Sequence, residues 1–321
     1  MTATLEGGPP IAGIDKPVSR LALGTAHYDS ARREHWFAVL DEFLALGGAL
    51  IDSGRIYGDS EAVIGAWMAA RGVRDRVIVV TKCGHGPDAL LPDVDFEETV
   101  TQELAASLDA LDTGCIDLYM LHRDNPAVAV GRIMDRLNAA MDAGRVRAIG
   151  ASNWTYARVD EANAYAREHG LAGFAVVSNN LSLAVPAAPF YKGLVSTDAG
   201  GEAWHARTGV PLLSWSSQAR GFFAGCCPRD RLASIEDPFT RRMVEVYGSD
   251  ANFERLGRAQ ELGARKGGYS AVQVALAWLL HKPFAVVPIV GAHTVEEVRS
   301  CAEAAALELT PAECAWLNGS A

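Results

Sequence analysis

The chain has 321 residues, 49% of them hydrophobic, which is enough to bury a large core. Length alone is compatible with two domains, but α/β barrels routinely hold this many residues in one. The formal net charge of -10 argues against nucleic acid or an anionic membrane surface as a partner. The opening MTATLEGGPPIAGIDKP has no basic start and no apolar leader core, and no later stretch is apolar for the length of a bilayer. The expectation is therefore a soluble, cytoplasmic protein with no membrane partner. Six cysteines (Cys83, Cys115, Cys226, Cys227, Cys301 and Cys314) form no C-x-x-C and no Cys/His zinc spacing. They read as thiols of a reducing compartment, most of them buried, with Cys226 and Cys227 in a loop, and no metal site is expected.

In chain order, short aliphatic runs alternate with amphipathic helical patterns. The runs are RLALGT (20–25), ALIDS (49–53), VIVVTKC (77–83), DLYMLHR (117–123), AIGASN (148–153), FAVVSNN (174–180), PLLSWSS (211–217) and AVVPIVG (285–291). They lack polar/apolar alternation, as parallel strands buried on both faces should. Between them, Trp36, Val39, Leu40, Phe43 and Leu44 form one helical stripe, and Val130, Ile133, Met134, Leu137 and Met141 another. Ser60 is expected to cap the helix EAVIGAWM, Asp95 with Glu98 to open the next one, and Gly72 to end the first.

Eight such units predict an α/β fold of the closed (β/α)8 TIM-barrel type, one domain over residues 1–321, with long loops around strand seven. No G-x-G-x-x-G follows the first strand, which removes the main support for a doubly wound dinucleotide fold. The loops, about 184–209 (with Tyr191, Trp204 and His205) and 222–250, are expected to wall one side of the active site.

Reactive residues of such a barrel lie at the C-terminal ends of strands. Those ends carry Asp52, Lys82, His122 and Asn153, with Tyr57 in the loop after strand two. A single tyrosine, lysine or histidine there is usually a packing or solvated residue, so the argument rests on the ordered set. Together they make chemical sense. A free tyrosine titrates near roughly 10 and is a reluctant acid at neutrality. A neighbouring ammonium, Lys82, would lower that value, and Asp52 would keep the lysine charged. His122 would orient a carbonyl toward Tyr57. A strand-end lysine also suggests a Schiff-base aldolase, but an amine held charged by Asp52 is wrong for attack on a carbonyl.

LIDSGRIYGDSEAVIG, VVTKCG, DLYMLHR, IGASNW, SAVQVALAWLL (270–280) and PIVGAHTVEEV (288–298) resemble, in order along nearly the whole chain, the motifs of the aldo-keto reductases. The resemblance implies a nicotinamide-dependent oxidoreductase, a carbonyl reductase or alcohol dehydrogenase, with Asp52, Tyr57, Lys82 and His122 as the catalytic four. It also implies that Ser152 and Asn153 hold the carboxamide and that Trp215 stacks on the nicotinamide where the family usually has tyrosine. Ser216, Ser217, Gln218 and Arg220 would cradle the pyrophosphate, and Gly24 and Thr25 would lie beneath the ring. Ser178 stands where the family commonly has an amide side chain. The closing motif brings Gly291 to the cofactor, and His293, Thr294, Glu297 and Cys301 stand where members preferring NADP often carry the cationic, hydroxyl and amide residues around a 2′-phosphate. Glu297 would repel that phosphate and accept from a ribose hydroxyl instead, or pair with Thr294 as a capping box. His293 and the helix N-terminus favour phosphate. The cofactor expectation is thus NADP(H) or NAD(H).

His27, Tyr28, Arg55, His85 and Trp154 are the expected substrate-pocket residues, and Arg123 is read as capping the barrel electrostatically. Their character points to a small carbonyl or alcohol that is polar or sugar-like. Two other readings stay open: a nicotinamide-binding regulatory subunit with little turnover, and an enzyme that uses tightly bound nicotinamide transiently for isomerisation or elimination.

Overall fold

A computed structural model describes residues 4–85, 96–226 and 235–319. Eight parallel strands, β1 (Ala22–Gly24), β2 (Leu50–Asp52), β3 (Ile78–Cys83), β4 (Ile116–Leu121), β5 (Val146–Ser152), β6 (Val176–Ser178), β7 (Leu212–Ser214) and β8 (Val286–Val290), close in sequence order into a barrel. Around them lie α1 (Arg33–Ala45), α2 (Ser60–Arg71), α3 (Phe96–Ala110), α4 (Val130–Asp142), α5 (Tyr156–Glu168) and α6 (Ala199–Thr208). Next come α7 (Pro238–Tyr247), α8 (Asp250–Arg265) and α9 (Ala271–Leu280), all three between β7 and β8, and then α10 (Val295–Ala305) and α11 (Pro311–Asn318). The expected strands and both helical stripes are present. Leu44 and Met141, at the stripe edges, are only partly buried.

The barrel is a packed core. Its interior is filled by Ala22, Leu50, Ile78, Val80, Leu118, Met120, Ala148, Val176, Leu213 and Val287. Ile11 and Val18, from the chain ahead of β1, join the same cluster. That segment is held by ions as well. Lys16 Nζ donates to Asp117 Oδ1 (2.8 Å) and to Val77 O (2.7 Å), and Arg74 pairs with the other oxygen of the fully buried Asp117. With Arg147 Nε 3.7 Å from Oδ1, Asp117 thus faces three cations at the end of the barrel where β3 and β4 begin.

Helix starts follow local side-chain chemistry. Thr155, Asp198, Asp237, Ser249 and Ser270 cap α5 to α9 in turn, and Ser270 makes a full capping box with Gln273. Gly72 ends α2 in the left-handed region (φ 63°), as expected. Ser60, expected as the cap of α2, is instead its first residue, after Asp59. Its hydroxyl is drawn inward to Thr25 Oγ1 (2.5 Å) and Ser53 Oγ (2.7 Å), and this buried hydroxyl chain outcompetes capping. Asp95 lies outside the described residues, and Glu98 sits in the first turn of α3. No helix among the described residues is long and apolar enough to cross a membrane.

Candidate active site

Parallel strands deliver the expected residues to one end of the barrel. Asp52 closes β2, Lys82 is the penultimate residue of β3, His122 directly follows β4, and Tyr57 lies in the turn between β2 and α2. Pairing continues past the strand ends: Ser53 N donates to Val80 O (2.8 Å) and Arg55 N to Lys82 O (2.9 Å), which fixes the base of the Tyr57 turn. Gly54 lets that turn close on the histidine. A Cβ there would stand 3.3 Å from Tyr57 Cε2 and 3.4 Å from His122 Cε1.

Lys82 Nζ donates to Asp52 Oδ1 at 2.6 Å and to Ser53 O at 2.7 Å, and it lies 5.3 Å from the centre of the Tyr57 ring. Lys82 and Asp52 are 3% and 4% exposed, so the pair is effectively dry. Tyr57 Oη is 3.4 Å from His122 Nε2, with the two rings edge to face.

Burial works against the charge of Lys82, but Asp52, the Tyr57 phenol and Glu61 outweigh it, and the ammonium is held above its ordinary range. Burial also dominates at Tyr57, pushing the phenol up against the downward pull of Lys82. The sequence led us to expect a lowered phenol. Without a ligand, desolvation wins, and the tyrosine is firmly protonated. His122 is held well below the usual histidine range by burial, then by Lys82, His85 and Arg123, and is therefore a neutral imidazole. Its Nδ1 has no partner among the described residues.

These residues open into a cavity of about 1010 Å³ that extends along the β7 and β8 edge of the barrel. Gly24, Thr25, Ser152, Asn153, Ser178 and Trp215 line it near the four. Ser152 Oγ donates to Ser178 O (2.9 Å), and Asn153, turned into the left-handed region (φ 59°), donates to His122 O (3.1 Å). The loop after β7 supplies Ser216, Ser217, Gln218 and Arg220. Ser216 and Arg220 also have positive φ (48° and 54°), so this loop is sharply coiled. Gly291, His293 and Glu297 line the far end.

Several expectations do not hold. Thr294 does not line the cavity, because its hydroxyl accepts from Glu297 N and caps α10. The capping box is incomplete: Glu297 Oε2 reaches past Thr294 to His293 N (2.6 Å). Of the expected substrate residues only His27 and His85 reach the cavity. His27 stands 5.0 Å from His293, at the Glu297 end rather than beside Tyr57. Tyr28 is buried and stacked on Trp36, Trp154 is fully buried against Phe174, and Arg55 is ion-paired with buried Glu61. The 184–209 connection walls the cavity only through Tyr191 and Leu194. Trp204 and His205 belong to α6 and pack outside the barrel, His205 Nδ1 lying 2.6 Å from Val210 O. The 222–250 stretch, expected as a loop, holds α7; Ala224, Cys226 and, from α7, Phe239 line the cavity, and Cys227 lies outside the described residues.

Sequence reasoning missed Arg123 as a cavity residue, along with Ser270 and Ser300, whereas Leu194 and Phe239 fall in the two stretches expected to wall the site without having been singled out. Only Arg123 carried a signal, its place next to His122 at a strand end. Among the described residues no group of three or more His, Cys, Asp or Glu is placed to hold a metal ion. The cavity does fit a nicotinamide dinucleotide: Ser178 Oγ, Trp215 Nε1 and Arg220 Nε all lack partners there among the described residues.

A family model described as "Aldo/keto reductase family" matches residues 20–320. Norsolorinic acid reductase of Emericella nidulans is 31% identical, over 95% of this chain and 78% of that protein. The 6-dehydroglucose reductase of Agrobacterium fabrum is 27% identical, over 88% of this chain and 86% of its own. The crystal structure of a thermostable aldo-keto reductase with the inhibitor epalrestat superposes with a TM-score of 0.72 at 21% identity, over 97% of this chain and 98% of that one. That last likeness concerns the fold. With eight strands closed in order and a matching family model over almost its whole length, the chain belongs to the aldo/keto reductase family and is an oxidoreductase that interconverts carbonyl and alcohol.

Proposed function

We propose that the protein is an NAD(P)(H)-dependent reductase of a polar, sugar-like carbonyl compound, with Tyr57 as its general acid. The observation that carries this reading is the dry Lys82–Asp52 pair beneath a protonated Tyr57, with neutral His122 3.4 Å from the phenol. When bound, the nicotinamide supplies or takes up the hydride. Ser178, Trp215 and Arg220, with Ser152, Asn153 and the Ser216–Gln218 loop, are the residues that would hold it, and Gly24 and Thr25 would floor it.

His122, as the Nε2–H tautomer, donates to the substrate oxygen and orients it toward Tyr57 Oη. As that oxygen gains negative charge, the proton passes to it from Tyr57. The tyrosinate left behind faces the Lys82 ammonium, which stabilises it. Asp52 keeps the ammonium charged and in place. Because burial raises the phenol, Tyr57 is present as the acid through neutral pH, which favours reduction. The reverse reaction needs the phenolate and is supported only as pH rises.

For the cofactor we propose NAD(H) over NADP(H). At the far end, the described lining residues Gly291, Ala292, His293, Glu297, Ser300 and Cys301 include no lysine or arginine. Arg299, nearby in sequence, is paired with Glu42. Glu297 puts a carboxylate where a 2′-phosphate would need a cation, and a ribose hydroxyl could donate to it. The 6-dehydroglucose reductase among the relatives supports a sugar-like substrate.

Paired titrations with NADH and NADPH, followed by tryptophan emission, test the cofactor assignment, and a carbonyl panel with the tighter cofactor tests the reaction. Tighter NADPH binding would refute the role given to Glu297. Binding of neither would remove the whole reading.

A further inference from the structure

We infer that the substrate end of this cavity is built to hold a carbonyl compound that carries an anionic group, with Arg123 as the residue that recognises the anion. The inference rests on the reductase reading above and narrows its substrate.

Arg123 follows His122 directly and lines the cavity. Its NH1 donates to Lys192 O at 3.0 Å, so one corner of the guanidinium is pinned to the loop ahead of α6. Gly193 makes room for it, since a Cβ there would lie 3.3 Å from NH1. Among the described residues Arg123 has no carboxylate partner, although the next residue, Asp124, is close by and is taken by Arg158 at 3.4 Å. A half-buried guanidinium positioned by a backbone carbonyl, with no carboxylate partner among the described residues, leaves its remaining N–H groups free to meet an anion in the cavity.

The neighbours agree. His85 stands edge-on to His122 at 4.7 Å, and its Nδ1 has no partner among the described residues. Among the described residues the carboxylates of the cavity lining are Asp52, consumed by Lys82, and Glu297, at the opposite end. On the loop side Tyr191 and Phe239 line the cavity and remain 53% and 47% exposed, Leu194 lines it too, and the Arg220 guanidinium lies 5.7 Å from the Tyr191 ring. A planar or ring-shaped body against these aromatics, with a carboxylate on Arg123 and its carbonyl at Tyr57, uses every one of these features.

The test compares pairs that differ at one group, a carboxylate or a neutral counterpart: 4-carboxybenzaldehyde with its methyl ester, and glucuronate with glucose. The unaltered enzyme should favour the acid in kcat/KM by about tenfold or more, the scale of a charge-assisted hydrogen bond, and mainly through KM. Arg123→Met should collapse the acid-to-neutral ratio toward unity, and Arg123→Lys should keep part of it. The pair that shows the larger ratio identifies the body as aromatic or sugar-like. A ratio near unity in the unaltered enzyme, or an unchanged ratio in Arg123→Met, overturns the inference while leaving the reductase reading in place. If no member of the panel turns over, the reductase reading fails. Calorimetric binding of benzoate then decides the subsite alone: binding lost in Arg123→Met supports it, and absence of binding overturns it.

Discussion

Replacing Lys82 by methionine isolates what the buried ion pair does. Lys82 makes two short hydrogen bonds, to Asp52 and to the Ser53 carbonyl, and neither acceptor has water as an alternative. Removing one partner of a buried pair leaves an uncompensated charge and costs about 3–5 kcal/mol, a large share of a total stability of roughly 5–15 kcal/mol. Replacing both, as Asp52→Asn with Lys82→Met, removes the stranded charge and should recover a good part of the loss. The pH dependence has a definite sign. In the natural pair Lys82 is raised above 10.5, so its contribution is intact at every pH below that value. In the single variant, burial holds the Asp52 carboxyl up with no ammonium to oppose it. A carboxyl raised in the folded state destabilises progressively as pH climbs past its unfolded value of roughly 3.9. The penalty should therefore be smaller at pH 5 than at pH 8. Denaturant melts of the three variants at both pH values measure it. A loss below about 1 kcal/mol, on the surface-pair scale, would refute the reasoning, as would a double variant no more stable than the single one.

Tyr57→Phe should lower kcat/KM by about 10²- to 10⁴-fold, the usual worth of a positioned acid, and leave cofactor affinity nearly unchanged in the same titration. Reduction by the natural enzyme should run flat from pH 6 to 8.5 because Tyr57 is raised and His122 depressed, whereas oxidation should climb with pH; an inflection near 6.5 that vanishes in His122→Asn would contradict the neutral imidazole. Glu297→Gln should shift the NADPH-to-NADH affinity ratio toward NADPH, several-fold at low salt and less at high salt; an unchanged ratio would show that Glu297 only holds His293 N.

The barrel was legible in the sequence because strands buried on both faces are apolar throughout, and their C-terminal ends place Asp52, Lys82 and His122 without further information. What escaped depends on which side a residue takes. Tyr28 and Trp154 follow strands just as His27 and His122 do, yet they pack behind the barrel wall against Trp36 and Phe174. Aromatic rings suit either environment. His27 and His293 meet only because closing the barrel makes β1 and β8 neighbours. Helix α6 was concealed in a supposed loop, since AGGEAWHART has two glycines and little apolar periodicity. The Ser60 cap failed because a hydroxyl chain invisible in sequence claimed its side chain.

Gly54 separates the two kinds of position that matter to anyone reshaping this enzyme. A Cβ at residue 54 would press on the Tyr57 ring at 3.3 Å and reach contact with the His122 imidazole at 3.4 Å, so alanine there tightens the space in which the two rings meet. Tyr191, Leu194 and Phe239 stand on connections outside the strands, and their replacement leaves the barrel ladder untouched. A library aimed at new substrates should therefore vary those walls freely and hold residue 54 constant.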